Sequence, residues 1–385
     1  MSFLRRAHYW LAYALVAYLA FLVALIYEPF QRSLIYLHAI KLGGRHFDRP
    51  EYHGYAPGKV LPLNLTTPDG ARLGAWLVPP QSVYEKWVEG NGVPGEGESM
   101  PLRVYDEALR SPSHPTVIYY HGNAATRAAG NRVRTGRHIS SEMDASFLII
   151  DYRGFADSSS HLPPSEEGLL TDARTAWDYI TVEKGAKESQ VVVMGQSLGT
   201  GVTAGLAARL ADEGKHPRAV VLVAPFSSIS ALLETYKLGN FIPILSPLKR
   251  FPWLLNAFLQ LLRTKFDTQN VLEKIQAPLL ILHAQDDPVI PFSHSRTLAT
   301  HLLSPLLSTQ SSSSFFSSPE ALTREHLVKE TKIGGWGTVS RFSRGEGKGD
   351  VTWAEGIKGA HNEIGTGEFS MKLIKDAVLG TKVTV

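Results

Sequence analysis

The residues Gly195-Gln196-Ser197-Leu198-Gly199 set a serine between two glycines. A serine hydroxyl is a weak nucleophile until an adjacent base removes its proton and a carboxylate orients that base. In a chain with 33 glycines the bare pattern says little, so its context decides. It directly follows the apolar run Val191–Met194 and directly precedes a helical pattern over Leu198–Ala211. A serine there is expected on a sharp strand-to-helix turn, its hydroxyl exposed at the C-terminal edge of a sheet. Gly195, Gly199 and Gly201 would leave room for the close backbone such a turn needs. The competing reading makes Ser197 a plain helix N-cap.

Hydrolases of this kind run serine, acid, histidine along the chain, which narrows the search. Four histidines follow Asp287: His294, His301, His326 and His361. His294 and His301 are seven apart on one expected helix and read as scaffold. His326 lies within a serine-rich insertion. His361, in Gly359-Ala360-His361-Asn362-Glu363, follows a small-residue turn ahead of the closing helix near Glu368–Val378, where a mobile imidazole can reach the serine. For the acid, the run Leu279–His283 ends in Ala284-Gln285-Asp286-Asp287-Pro288. Either aspartate lies just past a strand end; Asp287, locked by the following proline, is the stronger candidate, with Asp286 as a turn residue. An oxyanion needs two backbone N–H donors. Leu198, after the nucleophile, is one. The other is expected from His121-Gly122-Asn123-Ala124, with Asn123 as donor, Ala124 as the alternative, and His121 pinning the loop.

These residues require a scaffold that brings them to one edge. From about Val60 the chain alternates short apolar runs with helical stretches. Strands are expected at Val60–Thr66, Leu73–Val78, Thr116–Tyr120, Ser146–Asp151, Val191–Gly195, Ala219–Val223 and Leu279–His283. The non-alternating runs suit strands covered on both faces, so the fold class is α/β with a doubly wound, mostly parallel sheet. Gly90–Pro101 and Ser304–Ser318 are low in apolar residues and read as mobile surface insertions, the second staying loop-like to about Asp350. Ser227–Ile275 is rich in apolar residues at helical spacing, among them Leu232, Tyr236, Phe251, Trp253 and Phe258. It is either one more packing helix pair or a lid over a lipid-sized pocket.

The five motifs Tyr120-His121-Gly122-Asn123, Asp151-Tyr152-Arg153-Gly154-Phe155, Gly195-Gln196-Ser197-Leu198-Gly199, His283-Ala284-Gln285-Asp286-Asp287-Pro288 and Gly359-Ala360-His361-Asn362 run in the order of the α/β-hydrolase superfamily. Within it the chain resembles the membrane-anchored acylglycerol and lysophospholipid lipases, from about Val60 to the C-terminus. The resemblance implies monoacylglycerols or lysophospholipids as substrates and the second aspartate of the pair as triad acid, in agreement with Asp287. Two features depart from the pattern. Ala156 stands where relatives carry glycine, and the serine-rich insertion separates acid from base.

Tyr9–Tyr27 is nineteen residues drawn only from Ala, Val, Ile, Leu, Phe, Trp and Tyr. As a helix it would span about 28 Å, close to the hydrocarbon thickness of a bilayer. A cleaved signal peptide or a core helix are the alternatives to an uncleaved anchor. Arg5 and Arg6 favour a cytosolic N-terminus, and the sequon Asn64-Leu65-Thr66 fits a lumenal body. The expectation is a single-pass protein, at the endoplasmic reticulum, with anchor 1–30, linker 31–59 and hydrolase domain 60–385, which holds the lid at about 227–275 and the insertion at about 304–350.

Of the 385 residues 44% are hydrophobic and 19% charged, with a net charge of +3 and no cysteine. Disorder, nucleic-acid binding, thiol chemistry and Cys-ligated metals are poor readings of such a chain. No H-E-x-x-H, Walker A or EF-hand pattern occurs, so neither metal nor cofactor is expected. Besides lipid ester cleavage, a thioesterase deacylating proteins would use the same triad, and a catalytically silent, membrane-tethered interaction protein is the reading from another class.

Overall fold

The computed structural model describes residues 3–42, 44–235, 237–238, 242–311 and 327–381. Tyr236 and His326 lie outside these residues.

Ten strands form one sheet: β1 (Leu61–Thr66), β2 (Arg72–Val78), β3 (Thr116–Tyr120), β4 (Ser146–Ile150), β5 (Val191–Gln196), β6 (Ala219–Val223), β7 (Leu279–Ala284), β8 (Lys329–Ile333), β9 (Gly337–Phe342) and β10 (Val351–Gly356). Their spatial order is β1-β2-β4-β3-β5-β6-β7-β10-β9-β8. The six central strands β4 to β10 are parallel, and antiparallel strands close both edges. The helices are α1 (Phe3–Ile26), α2 (Glu28–Tyr36), α3 (Gln81–Asn91), α4 (Leu102–Arg110), α5 (Gly130–Glu142), α6 (Glu166–Asp178), α7 (Leu198–Asp212), α8 (Ile229–Thr235), α9 (Pro252–Gln260), α10 (Thr268–Val271), α11 (Ser293–Ser311) and α12 (Glu368–Leu379).

The central strands are buried on both faces, as their unbroken apolar runs require. Ile118, Val193, Leu222 and Ile281 pack with Leu169, Trp177, Val202 and Leu206. Their neighbours Val117, Val192, Val221 and Leu280 pack with Val133, Ile139, Ile374 and Val378 on the opposite face. All seven expected strands form. The stretch expected to stay loop-like to about Asp350 instead carries β8 and β9, an edge hairpin paired from Lys329↔Arg341 to Ile333↔Gly337. Lys329-Glu330-Thr331-Lys332 is polar because it lies at a solvated sheet edge, where charge discourages further pairing, so it lacks the apolar run that marks a central strand. The Gly90–Pro101 stretch leads into a buried Met100, whose N–H bonds to the Gly58 carbonyl at 3.3 Å.

Among the described residues one helix stretch, Arg6–Ile26, is long and apolar enough to cross a membrane. Most of its side chains are exposed, Trp10 at 73%, whereas Leu22 and Leu25 are buried. The 31–59 stretch, expected as a linker, packs on the hydrolase body. Gln31 and Tyr36 of α2 are buried, and Trp76 Nε1 donates to the Phe47 carbonyl at 2.7 Å.

Candidate active site

Ser197 sits between β5 and α7 with φ 53° and ψ −123°, a strained backbone for a residue with a Cβ. Its side chain does not cap α7, which removes the N-cap reading. The flanking glycines are forced by proximity. A Cβ at Gly199 would lie 1.9 Å from the Tyr120 carbonyl oxygen, and one at Gly195 would lie 2.2 Å from the Gly199 oxygen. The turn therefore draws the serine against the end of β3.

The structure brings His361 and Asp287 together. His361 Nδ1 lies 2.8 Å from Asp287 Oδ2, across 74 residues of sequence. Asp287 follows β7, and its other oxygen accepts the backbone N–H groups of Val289 at 2.7 Å and Ile290 at 2.9 Å. Burial raises the carboxyl's pKa, but hydrogen bonds from His283 and His361 together with the His361 charge outweigh that, and the net shift is downward. Asp286 is exposed, and its Oδ1 accepts the Ala360 N–H at 2.8 Å, so it shapes the turn that carries His361. That turn needs left-handed backbone at Gly359 (φ 145°) and Ala360 (φ 44°). The Ser197 hydroxyl has no hydrogen-bond partner among the described residues; in unliganded hydrolases such bonds are commonly loose and tighten with substrate.

Sequence reasoning missed several supporting residues. Gln196 donates from Nε2 to the His361 carbonyl at 3.2 Å and accepts the Tyr119 hydroxyl at 2.6 Å, tying the histidine turn to the residue before Ser197. His283, fully buried, points Nε2 at Asp287 Oδ2 (3.2 Å) and at the Ile290 carbonyl (3.0 Å). Two acceptors there place the proton on Nε2 and leave Nδ1 buried without a partner. His283 stood inside a quoted motif, yet only the fold reveals that it faces the acid. His294 and His301 are scaffold on α11. His294 Nδ1 lies 3.0 Å from Ser227 Oγ, and His301 Nε2 lies 2.9 Å from Glu273.

The loop after β3 is held by its hydrogen bonds. The Ala124 N–H is taken by the Tyr36 carbonyl at 3.0 Å, whereas the Asn123 N–H is unpaired among the described residues. Left-handed backbone falls on Ala124 and Ala125 (φ 54° each) rather than on Gly122. Gly122 is needed because a Cβ there would lie 3.1 Å from the Ser197 Cβ. Buried Arg132 donates to the carbonyls of Gly122, Asn123 and Ala124. His121 lies with Nδ1 2.7 Å from the Gly122 carbonyl and Nε2 3.2 Å from Asp151, a pinning arrangement. Ala156 adopts φ 47°, the left-handed conformation glycine would take, and stays buried.

Ser197, Leu198 and Asn123 line a cleft of about 800 Å³, its open mouth included. Its walls are apolar: Leu34, Ile35 and Leu37 from the α2 segment, Ile229, Leu232 and Leu233 from α8, with Phe226, Ile244, Val289 and Ile290.

A family model described as alpha/beta hydrolase fold matches residues 117–304. The lysophosphatidylserine lipase ABHD12 of Xenopus tropicalis is 32% identical over 298 residues, which cover 76% of this chain and 71% of that protein. The chain belongs to the ABHD12 family of α/β hydrolases. It is an ester-hydrolysing serine hydrolase. The ABHD12 of Rattus norvegicus is 35% identical over 61% of this chain and 54% of its own length, and protein ABHD12B of Homo sapiens 34% identical over 61% and 59%. The crystal structure of an alpha-beta hydrolase from Vibrio vulnificus superimposes with a TM-score of 0.52 at 17% identity, over 71% of this chain and 81% of that one, a likeness of fold alone.

Proposed function

We propose that this ABHD12-family chain is a membrane-anchored lipase that cleaves the single acyl ester of a lysophospholipid or monoacylglycerol, with its catalytic body on the lumenal side of the endoplasmic reticulum. The observation that carries this reading is the 2.8 Å contact of His361 Nδ1 with Asp287, set by the Gln196 tie beside a strained Ser197 that lines an apolar cleft. The apolar helix Arg6–Ile26 and the exposed Phe251 and Trp253 at α9 in the expected lid support a substrate met at a bilayer. The relatives, lysophosphatidylserine lipases, favour lysophosphatidylserine within the lysophospholipid class.

In this mechanism Ser197 Oγ attacks the acyl carbonyl carbon while its proton passes to His361 Nε2. Asp287 holds Nδ1–H and stabilises the imidazolium. The Asn123 and Leu198 N–H groups receive the oxyanion. Collapse breaks the ester bond, and His361 returns the proton to the leaving glycerol oxygen. Water, deprotonated by His361, then attacks the acyl-enzyme. The fatty acid leaves and Ser197 regains its proton.

The test is a hydrolysis panel of lysophosphatidylserine, lysophosphatidylcholine, monoacylglycerol and an S-acylated peptide, with the Ser197→Ala variant beside wild type. Fatty acid release from the lipids, together with fluorophosphonate labelling that disappears in Ser197→Ala, is expected. Equal labelling of both proteins refutes the nucleophile, and turnover of the peptide alone moves the assignment to a thioesterase.

A further inference from the structure

The segment that follows the anchor touches the catalytic loops at four points. The Ile35 carbonyl accepts Asn123 Nδ2 at 3.2 Å, the Tyr36 carbonyl accepts the Ala124 N–H at 3.0 Å, and the Ile40 carbonyl accepts the Ala125 N–H at 2.7 Å. Lys41 Nζ donates to the Ala156 carbonyl at 2.8 Å. Three consecutive residues of the oxyanion loop thus hang on one short stretch, and two of them hold left-handed backbone that alanine rarely adopts alone. The stretch is itself fixed to the lid region. Gln31 Nε2 donates to the Leu261 carbonyl at 3.3 Å, its Oε1 accepts the Arg263 N–H at 3.2 Å, and the buried Tyr36 hydroxyl meets Thr264 Oγ1 at 3.0 Å. Tyr18, within the anchor helix, donates to the Ile244 carbonyl at 2.9 Å.

We infer that residues 34–41 are part of the active site: Leu34, Ile35 and Leu37 form the wall that selects acyl chain length, and the carbonyls of Ile35, Tyr36 and Ile40 position the oxyanion loop. The inference rests on the lipid-ester reading of the same site. Carbonyls at a helix C-terminal end lack partners within the helix, so they are free to accept from a neighbouring loop. The loop's two left-handed residues would relax if those acceptors withdrew, and the Asn123 N–H would turn away from the oxyanion. On the same stretch Leu34, Ile35 and Leu37 face the cleft, so one element both holds the loop and forms the wall. A lipid entering from the bilayer would meet this wall first, because α2 continues directly from the anchor.

Leu37 makes the wall testable without unfolding it. Its φ is 48°, which glycine adopts without strain, so Leu37→Gly removes the side chain and suits the backbone. Leu34→Trp does the opposite and fills the cleft. The assay is kcat and KM of the full-length protein in detergent micelles against lysophosphatidylserine of eight to twenty acyl carbons and against p-nitrophenyl acetate. For Leu37→Gly the ratio of kcat/KM for long-chain lipid to kcat/KM for the acetate is expected to fall about tenfold. For Leu34→Trp the optimum is expected to move to shorter chains. Asn123→Ala, which keeps the backbone donor and cuts its tie to Ile35, is expected to lower kcat about tenfold on both substrates at unchanged KM. Parallel losses on acetate and lipid in both wall variants, or an unmoved chain-length profile, overturn the wall. An unchanged kcat in Asn123→Ala overturns the positioning role. A wild type that cleaves the acetate and no lipid refutes the lipid reading itself, whereas lipid turnover with an unmoved profile refutes only the wall.

Discussion

Two adjacent aspartates offer a sharp test of the site, because the fold gives them different surroundings. Asp287 takes four donors on two oxygens: Val289 and Ile290 N–H on Oδ1, His361 and His283 on Oδ2. In Asp287→Asn one oxygen becomes an amide N–H₂. The backbone pair cannot retreat and claims the remaining oxygen, so the amide faces His361 Nδ1. Two donors cannot meet, and His361 must turn its lone pair to that side and carry its proton on Nε2, facing Ser197. The base is then lost in the dominant tautomer, and kcat should fall roughly 10³- to 10⁴-fold, about 4–5.5 kcal/mol of barrier. Stability should fall much less, about 1–3 kcal/mol, since His283 retains the Ile290 carbonyl as acceptor. Asp286→Asn is the internal control. Its amide oxygen can still accept the Ala360 N–H, and its other contact, Lys358 at 3.7 Å, is a surface pair of little energetic weight. A change under about fivefold is expected there. The assay is turnover of p-nitrophenyl butyrate beside fluorophosphonate labelling and thermal melting. Comparable losses in the two variants, or a larger loss in Asp286→Asn, would refute the assignment of the acid.

Gly199→Ala, whose Cβ would stand 1.9 Å from the Tyr120 carbonyl, should give an insoluble or early-melting protein, whereas Gly122→Ala, pressed 3.1 Å from the Ser197 Cβ, should fold and lose turnover; a soluble, active Gly199→Ala would contradict the packing of the turn. Burial, with a smaller contribution from the His283 charge, lowers the His294 pKa from 6.5 to about 4, so the unfolded chain binds the extra proton first as pH falls. Stability should therefore drop by roughly 3 kcal/mol between pH 6.5 and 4, read as a falling urea midpoint, and His294→Gln should flatten that slope. Arginines at Leu11 and Leu15 of α1, both exposed and each costing about 2.5–3.5 kcal/mol at a bilayer centre, should release protein from carbonate-washed membranes. Asn64, exposed on the edge strand β1, should carry a glycosidase-sensitive mass shift that Asn64→Gln abolishes; an unshifted band in both argues against a lumenal body.

The amino-acid order alone determined a good deal. Unbroken runs such as Val117-Ile118-Tyr119-Tyr120 and Val191-Val192-Val193-Met194 can only be buried on both faces, so they announced the parallel core. Glycines 195 and 199 marked a turn that no Cβ could enter, and the Ser, Asp, His order narrowed fourteen histidines to His361. Local pattern failed where a segment's environment comes from distant chain. The β8–β9 hairpin is polar because it closes a sheet edge, which a single segment cannot announce. His283 is an ordinary strand residue until Asp287, four positions on, folds back across it. The chain favoured Asn123 over Ala124 as the oxyanion donor, and the Tyr36 carbonyl, 88 residues before Ala124, supports that preference by taking the Ala124 N–H. The 31–59 stretch read as a tether although Leu34, Ile35, Tyr36, Leu37, Ile40 and Leu42 are apolar. Its importance lies in backbone carbonyls, which every residue carries and no sequence pattern distinguishes; only the tertiary structure says which loop they hold.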